Sequence, residues 1–167
     1  MAGQEGLSQE DSHKMALAIR LEARRVLMPQ HPSKDERHRI DRFVSWMEET
    51  KRSWYNPDFK AYRDHLLQDG LSVSSVAAHL GTLRGRYEAV LIEQSTLRAL
   101  FEQATGVLQA GNQEVNPANQ WAVVSTYLEV LRNAINPRAA PLKVTKVQDR
   151  ADSEHLRLTV EQAQMLL

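Results

Sequence analysis

The sequence predicts an all-α fold, a bundle of about five to six helices. Three observations carry that prediction. Apolar residues recur at spacings of three and four along successive stretches, and no stretch alternates as a half-buried strand would. Each stretch is bracketed by residues that start or stop helices. Only 7 glycines and 6 prolines are spread over the 167 residues, which leaves room for long uninterrupted elements.

Residues 8 to 28 open with Ser8 and carry Asp11 three positions on, a capping-box spacing. Met15, Ile19, Ala23 and Val26 form a thin apolar seam on a segment otherwise rich in charge (Arg20, Glu22, Arg24, Arg25). Met28-Pro29 ends it, because the residue before proline is pushed out of helical geometry. Residues 34 to 50 begin after Ser33 and set Ile40, Phe43, Val44 and Met47 on one face. Asn56-Pro57 reads as the cap and first residue of a third helix, with Phe59, Tyr62, Leu66 and Leu67 inward and Gly70 as its C-cap. Ser72 caps the clearest helix, 73 to 92, along which Val73, Val76, Leu80, Leu83, Tyr87 and Val90 keep helical spacing.

A helix over 96 to 110 follows, with Leu97, Leu100, Phe101, Ala104, Val107 and Leu108 inward and Gly111 at its end. Asn116-Pro117 opens the next, which Asn136-Pro137 closes. Trp121, Val124, Leu128, Leu131 and Ile135 line one of its faces, and Val123, Tyr127, Val130 and Ala134 a second. A helix apolar on two faces is central or has a partner on its other side. Residues 138 to 150 (RAAPLKVTKVQDR) lack helical period and hold four bases against one acid, the character of a basic linker. Leu158-Thr159 then opens a helix with Thr159 and Gln162 in capping-box register, and the sequence ends one turn later. The expectation is a fragment: an N-terminal helix or arm over 1–33, a helical domain over 34–137, a basic linker over 138–157, and the start of a truncated second domain over 158–167.

Composition narrows the function. Twenty-one basic and 21 acidic side chains cancel, so there is no global attraction to nucleic acid or membrane, and DNA binding must rest on local arrangement. The absence of cysteine excludes a disulfide framework, a zinc–cysteine site and a thiol nucleophile. No run approaches the ~20 apolar residues of a membrane span, and the N-terminus lacks a secretory h-region. A soluble cytoplasmic chain is expected. The six histidines form no i, i+4 pair, no glycine-rich phosphate loop follows a strand, and neither metal nor cofactor is expected. Asp64-His65 are helix neighbours about 100° apart, so they do not form a proton relay. The arginines at 20, 24 and 25 read as a solvated face or as contacts to a DNA backbone.

The informative feature is the outer face of the 73 to 92 helix. Opposite its apolar arc lie Ser74, Ala78, Gly81, Thr82, Gly85 and Ala89, all small. A face that merely meets water is usually filled with long polar helix formers, and each glycine costs about 1 kcal/mol relative to alanine. Such a face suits close approach by another helix or by the floor of a DNA major groove. His79 and Arg86 on one flank and Arg84 on the other stand where phosphate contacts would, and Ser74, Ser75 and Thr82 offer hydroxyls.

Five stretches in order resemble one family. GLSVSSVAAHLGTLRGRYEAV (70 to 90), RIDRFVSWMEE (39 to 49), DFKAYRDHLLQDG (58 to 70), NPRAAPLKV (136 to 144) and LTVEQAQMLL (158 to 167) are similar to the tyrosine recombinases, or phage integrases. The resemblance implies an orthogonal, SAM-like core-binding domain, one half of a C-shaped clamp on double-stranded DNA. It implies that the 34 to 50 and 73 to 92 helices cross the major groove. The implied DNA contacts are Arg42, Ser45, Lys51 and Arg52 on the first, and Ser74, Ser75, Ala78, His79, Thr82, Arg84 and Arg86 on the second. Lys143, Lys146 and Arg150 would follow in the linker. It also implies contact between neighbouring protomers of a recombinase tetramer through the last helix. The family's catalytic arginines, lysine, histidine and tyrosine map onto nothing here. Tyr55, Tyr62, Tyr87 and Tyr127 read as packing, and the chain is expected to bind DNA without cleaving it. Two departures stand out: the 96 to 110 helix is an insertion, and Ala78 and Gly85 replace longer polar side chains. The alternative is a stand-alone helical module that binds a protein partner or DNA.

Overall fold

The computed structural model of the chain describes residues 8–136. They form six helices: α1 (Gln9–Leu27), α2 (Lys34–Thr50), α3 (Phe59–Gln68), α4 (Val73–Val90), α5 (Gln94–Ala110) and α6 (Pro117–Ile135). No strand occurs among the described residues, and the all-α bundle expected from the periodicity is what forms. No helix among them is long and apolar enough to cross a membrane.

Five helices are started by a side chain. Ser8, Ser33, Asp58, Ser72 and Asn116 each accept a hydrogen bond from the backbone N–H three residues on. Each such cap stabilises its helix by about 1 kcal/mol. At Ser33 the box is complete, since Glu36 reaches back to the Ser33 N–H at 3.0 Å. The third helix starts later than its proline suggests. Pro57 lies buried ahead of it, and Asp58 takes the cap by accepting from the Ala61 N–H at 3.0 Å. The fifth starts two residues earlier than expected, after Glu93, and takes no side-chain cap.

Packing is organised around α4. Helices α1, α2, α3 and α6 all contact it, while α5 packs on α6 to make a hairpin. Phe43 is the aromatic node: its ring lies 4.9 Å from Tyr62, 5.8 Å from Phe59 and 6.5 Å from Tyr87. Trp54, in the connection between α2 and α3, is also buried, and its carbonyl accepts the Tyr87 hydroxyl proton at 2.6 Å. Tyr55 meets Tyr127 of α6 at 5.0 Å, which ties the same connection to the far helix. The N-terminal helix, expected as an arm apart from the 34–137 unit, puts Ala23 and Leu27 into the same core cluster. Met15 of its predicted seam is 40% exposed, and Leu27 takes the inward place.

One inward assignment on α6 is corrected. Trp121 is 51% exposed, because at this first turn its ring lies against Phe101 of α5, stacked at 6.1 Å, rather than in the core. The buried seam of α6 begins at Val124 and continues through Leu128, Leu131 and Ile135.

Candidate nucleic-acid interface

The outer face of α4 is open. Ser74, Gly81 and Gly85 are exposed, and Ala78, Thr82 and Ala89 are half-buried. A Cβ placed on Gly81 or Gly85 would meet no atom within 4 Å. Packing among the described residues therefore requires neither glycine. The N-terminal end of the ridge is a hydroxyl cluster: Ser72 Oγ lies 3.2 Å from Ser74 Oγ and 3.1 Å from Ser75 Oγ, and accepts the Ser75 N–H. Two of the predicted hydroxyl donors are thus partly occupied in starting the helix.

Thr82 is occupied too, by a residue the sequence reading missed. Arg39 of α2 donates from Nη1 to Thr82 Oγ1 at 3.2 Å and so places a guanidinium beside the α4 ridge. Its signal was its register: it stands one residue before Ile40 and four before Phe43, on the flank of the core face. Arg84 is half-buried on the opposite flank of α4 and makes no ion pair among the described residues. Ser45 is exposed on α2.

Several other predicted contacts are buried or have partners among the described residues. His79 is only 6% exposed, packed edge-on to His38 with ring centroids 6.0 Å apart. Burial lowers its pKa to about 4, and the nearby Arg42 and Arg39 guanidiniums act in the same direction. A neutral, buried ring cannot serve as a phosphate cation at neutral pH. Arg86 turns inward: its Nε donates to the Leu27 carbonyl at 2.7 Å and closes the C-terminal end of α1. This bond satisfies one of the orphan carbonyls that every helix end leaves.

On α2, Arg42 pairs with Asp69 at 2.6 Å, and His65 stands 3.9 Å from the same carboxylate. Arg52 pairs with Asp58 at 3.6 Å while its guanidinium lies 5.6 Å from the centre of the Trp46 ring. Lys51 is the C-cap of α2 in left-handed geometry, φ 57°, and donates to Ser12 Oγ at 3.0 Å. These side chains join helices, and their cationic heads are already engaged. Lys143, Lys146 and Arg150 lie outside the described residues.

Tyr62 and Tyr87 are fully buried, and burial raises both hydroxyl pKa values. Neither can act as a nucleophile from there. Among the described residues no three histidine or carboxylate side chains are placed to hold a metal ion. What the geometry brings together is an open ridge of small residues on α4, with Arg39 at one flank and Arg84 at the other. No family model, no curated protein and no solved structure matches the chain.

Proposed function

We propose that this chain is a DNA-binding module of the site-specific recombinase type, which grips double-stranded DNA through the ridge of α4 and leaves strand cleavage to catalytic groups elsewhere. The observation that carries the proposal is the open ridge itself: two glycines with open space where a side chain would stand, between two guanidiniums. A surface selected for stability alone would carry alanine or longer side chains there, since each glycine costs about 1 kcal/mol in a helix. A groove floor approached closely by backbone explains the choice, and Arg39 and Arg84 stand where phosphates on the groove walls would pass. The five short likenesses to tyrosine recombinases point the same way. In this reading the chain works in the cytoplasm of a prokaryote, encoded by host, phage or mobile element, and needs no cofactor.

The test places negative charge where the fold tolerates it. Gly81→Glu with Gly85→Glu puts two carboxylates on a face with open space around both positions. Duplex binding, read by fluorescence anisotropy at low salt, is expected to fall at least tenfold while the far-ultraviolet circular dichroism stays helical. Unchanged binding would remove α4 from the groove.

A second reading has its own observation. Trp121 is 51% exposed on α6, and Val107, Val115 and Val130 are each about two-fifths exposed. Exposed apolar side chains at the end of the α5–α6 hairpin that carries Trp121 suit a protein partner. Binding there is expected to be nearly indifferent to salt and to be lost with Trp121→Ala, whereas duplex binding would survive that change.

A further inference from the structure

We propose that a hollow between the end of α1 and the start of α2 is a seat for a phosphate ester, separate from the α4 ridge. The hollow has a volume of about 410 Å³, and three guanidiniums line it: Arg24 and Arg25 from the last turn of α1 and Arg37 from the first turns of α2. No carboxylate among the described residues lines it. Arg24 Nε is held by Asp41 at 3.1 Å, which fixes that side chain in place, while Arg25 and Arg37 make no ion pair among the described residues. Two guanidiniums without a carboxylate partner among the described residues, Arg25 and Arg37, thus face one hollow beside the paired Arg24, and an anion between them removes their mutual repulsion.

The wall is preorganised. The connection from α1 to α2 carries Pro29 and Pro32, both of which line the hollow and have φ fixed by their rings. The shape of the donor set favours phosphate over carboxylate. A carboxylate has two acceptor oxygens and is satisfied by one guanidinium fork, whereas phosphate oxygens can accept from three. Leu21, 59% exposed, and Met28 add an apolar rim that fits the carbon face of a sugar. The two helices that carry the hollow, α1 and α2, each pack on α4 through other faces. A backbone phosphate of bound duplex is the natural source. That source rests on the DNA-binding reading; the phosphate chemistry does not.

The test uses the whole chain and two probes. In the first arm inorganic phosphate is titrated while the arginine Nε–H and Gln30 amide resonances are followed by NMR, against sodium chloride of equal ionic strength. Saturable shifts at Arg24, Arg25 and Arg37, lost in Arg25→Gln with Arg37→Gln, are expected. Shifts no larger than those from chloride, or shifts that persist in the double variant, would overturn the seat. In the second arm the salt dependence of duplex binding is compared between the native chain and the same variant. A log–log slope lower by about 0.9 for each phosphate lost assigns the seat to the DNA backbone. An unchanged slope alongside saturable phosphate binding assigns it to a free phosphate ester. Because the first arm contains no DNA, failure of the seat and failure of the DNA-binding reading are told apart.

Discussion

His79 and Arg86 show how a residue's neighbours override its position on a helical wheel. Both sit beside the small-residue face of α4, yet one is buried against His38 and the other bonds a carbonyl of α1. Each has a measurable consequence. The folded pKa of His79, about 4, lies below its ordinary 6.5. Between those values the unfolded chain binds a proton that the folded chain refuses. Stability from this residue is therefore complete above pH 6.5 and is lost as pH falls toward 4, with a slope of at most about 1.4 kcal/mol per pH unit. Urea unfolding at a series of pH values is expected to show that slope in the native chain and not in His79→Leu. A slope shared by both would assign it to other groups. For Arg86, replacement by leucine is expected to cost about 2 kcal/mol, the loss of a charge-assisted bond to a buried carbonyl. Replacing Arg84 by glutamine should stay within about 0.5 kcal/mol of native, because it makes no ion pair among the described residues. Equal losses in thermal unfolding would contradict this division of roles.

At the scale of the element, α4 combines a fully committed inner face with an uncommitted outer one. Val76, Leu80, Leu83, Tyr87 and Val90 are buried to within 1% of completely, while the glycines opposite have open space where a side chain would stand. Gly81→Ala with Gly85→Ala should then raise stability by about 2 kcal/mol, since alanine is the better helix former and both positions are open. The same change adds two methyl groups to the proposed contact and is expected to weaken duplex binding severalfold. A variant that melts higher and binds less would mark glycines kept for function. One that melts higher and binds equally well would mark them as neutral.

The elements were legible because their signals are local. Ser33, Ser72 and Asn116 each cap the helix that the spacing of apolar residues predicts. The site was less so. Whether Arg42, Arg52 or Lys51 is free depends on Asp69, Asp58 and Ser12, which lie 27, 6 and 39 residues away. Arg39 escaped notice for the same reason, since its partner Thr82 is on another helix.

Across the described residues, three ion pairs run between helices or their ends. Arg24 to Asp41 and Arg20 to Glu48 hold α1 along α2, and Arg42 to Asp69 holds α2 to the end of α3. With 21 charges of each sign, the long-range field around the chain is weak. On the DNA-binding proposal, duplex contact among the described residues falls to cations outside the ion pairs, such as those near α4 and in the α1–α2 hollow, and the number of phosphates neutralised should be small. The most direct test of the DNA-binding claim is the affinity of the native chain for a mixed-sequence duplex, measured at several salt concentrations. Binding at low salt that weakens along a log–log slope of about −2 to −4, the release expected from a few phosphates, is the predicted result. No detectable binding at low salt, or binding that does not change with salt, would contradict it.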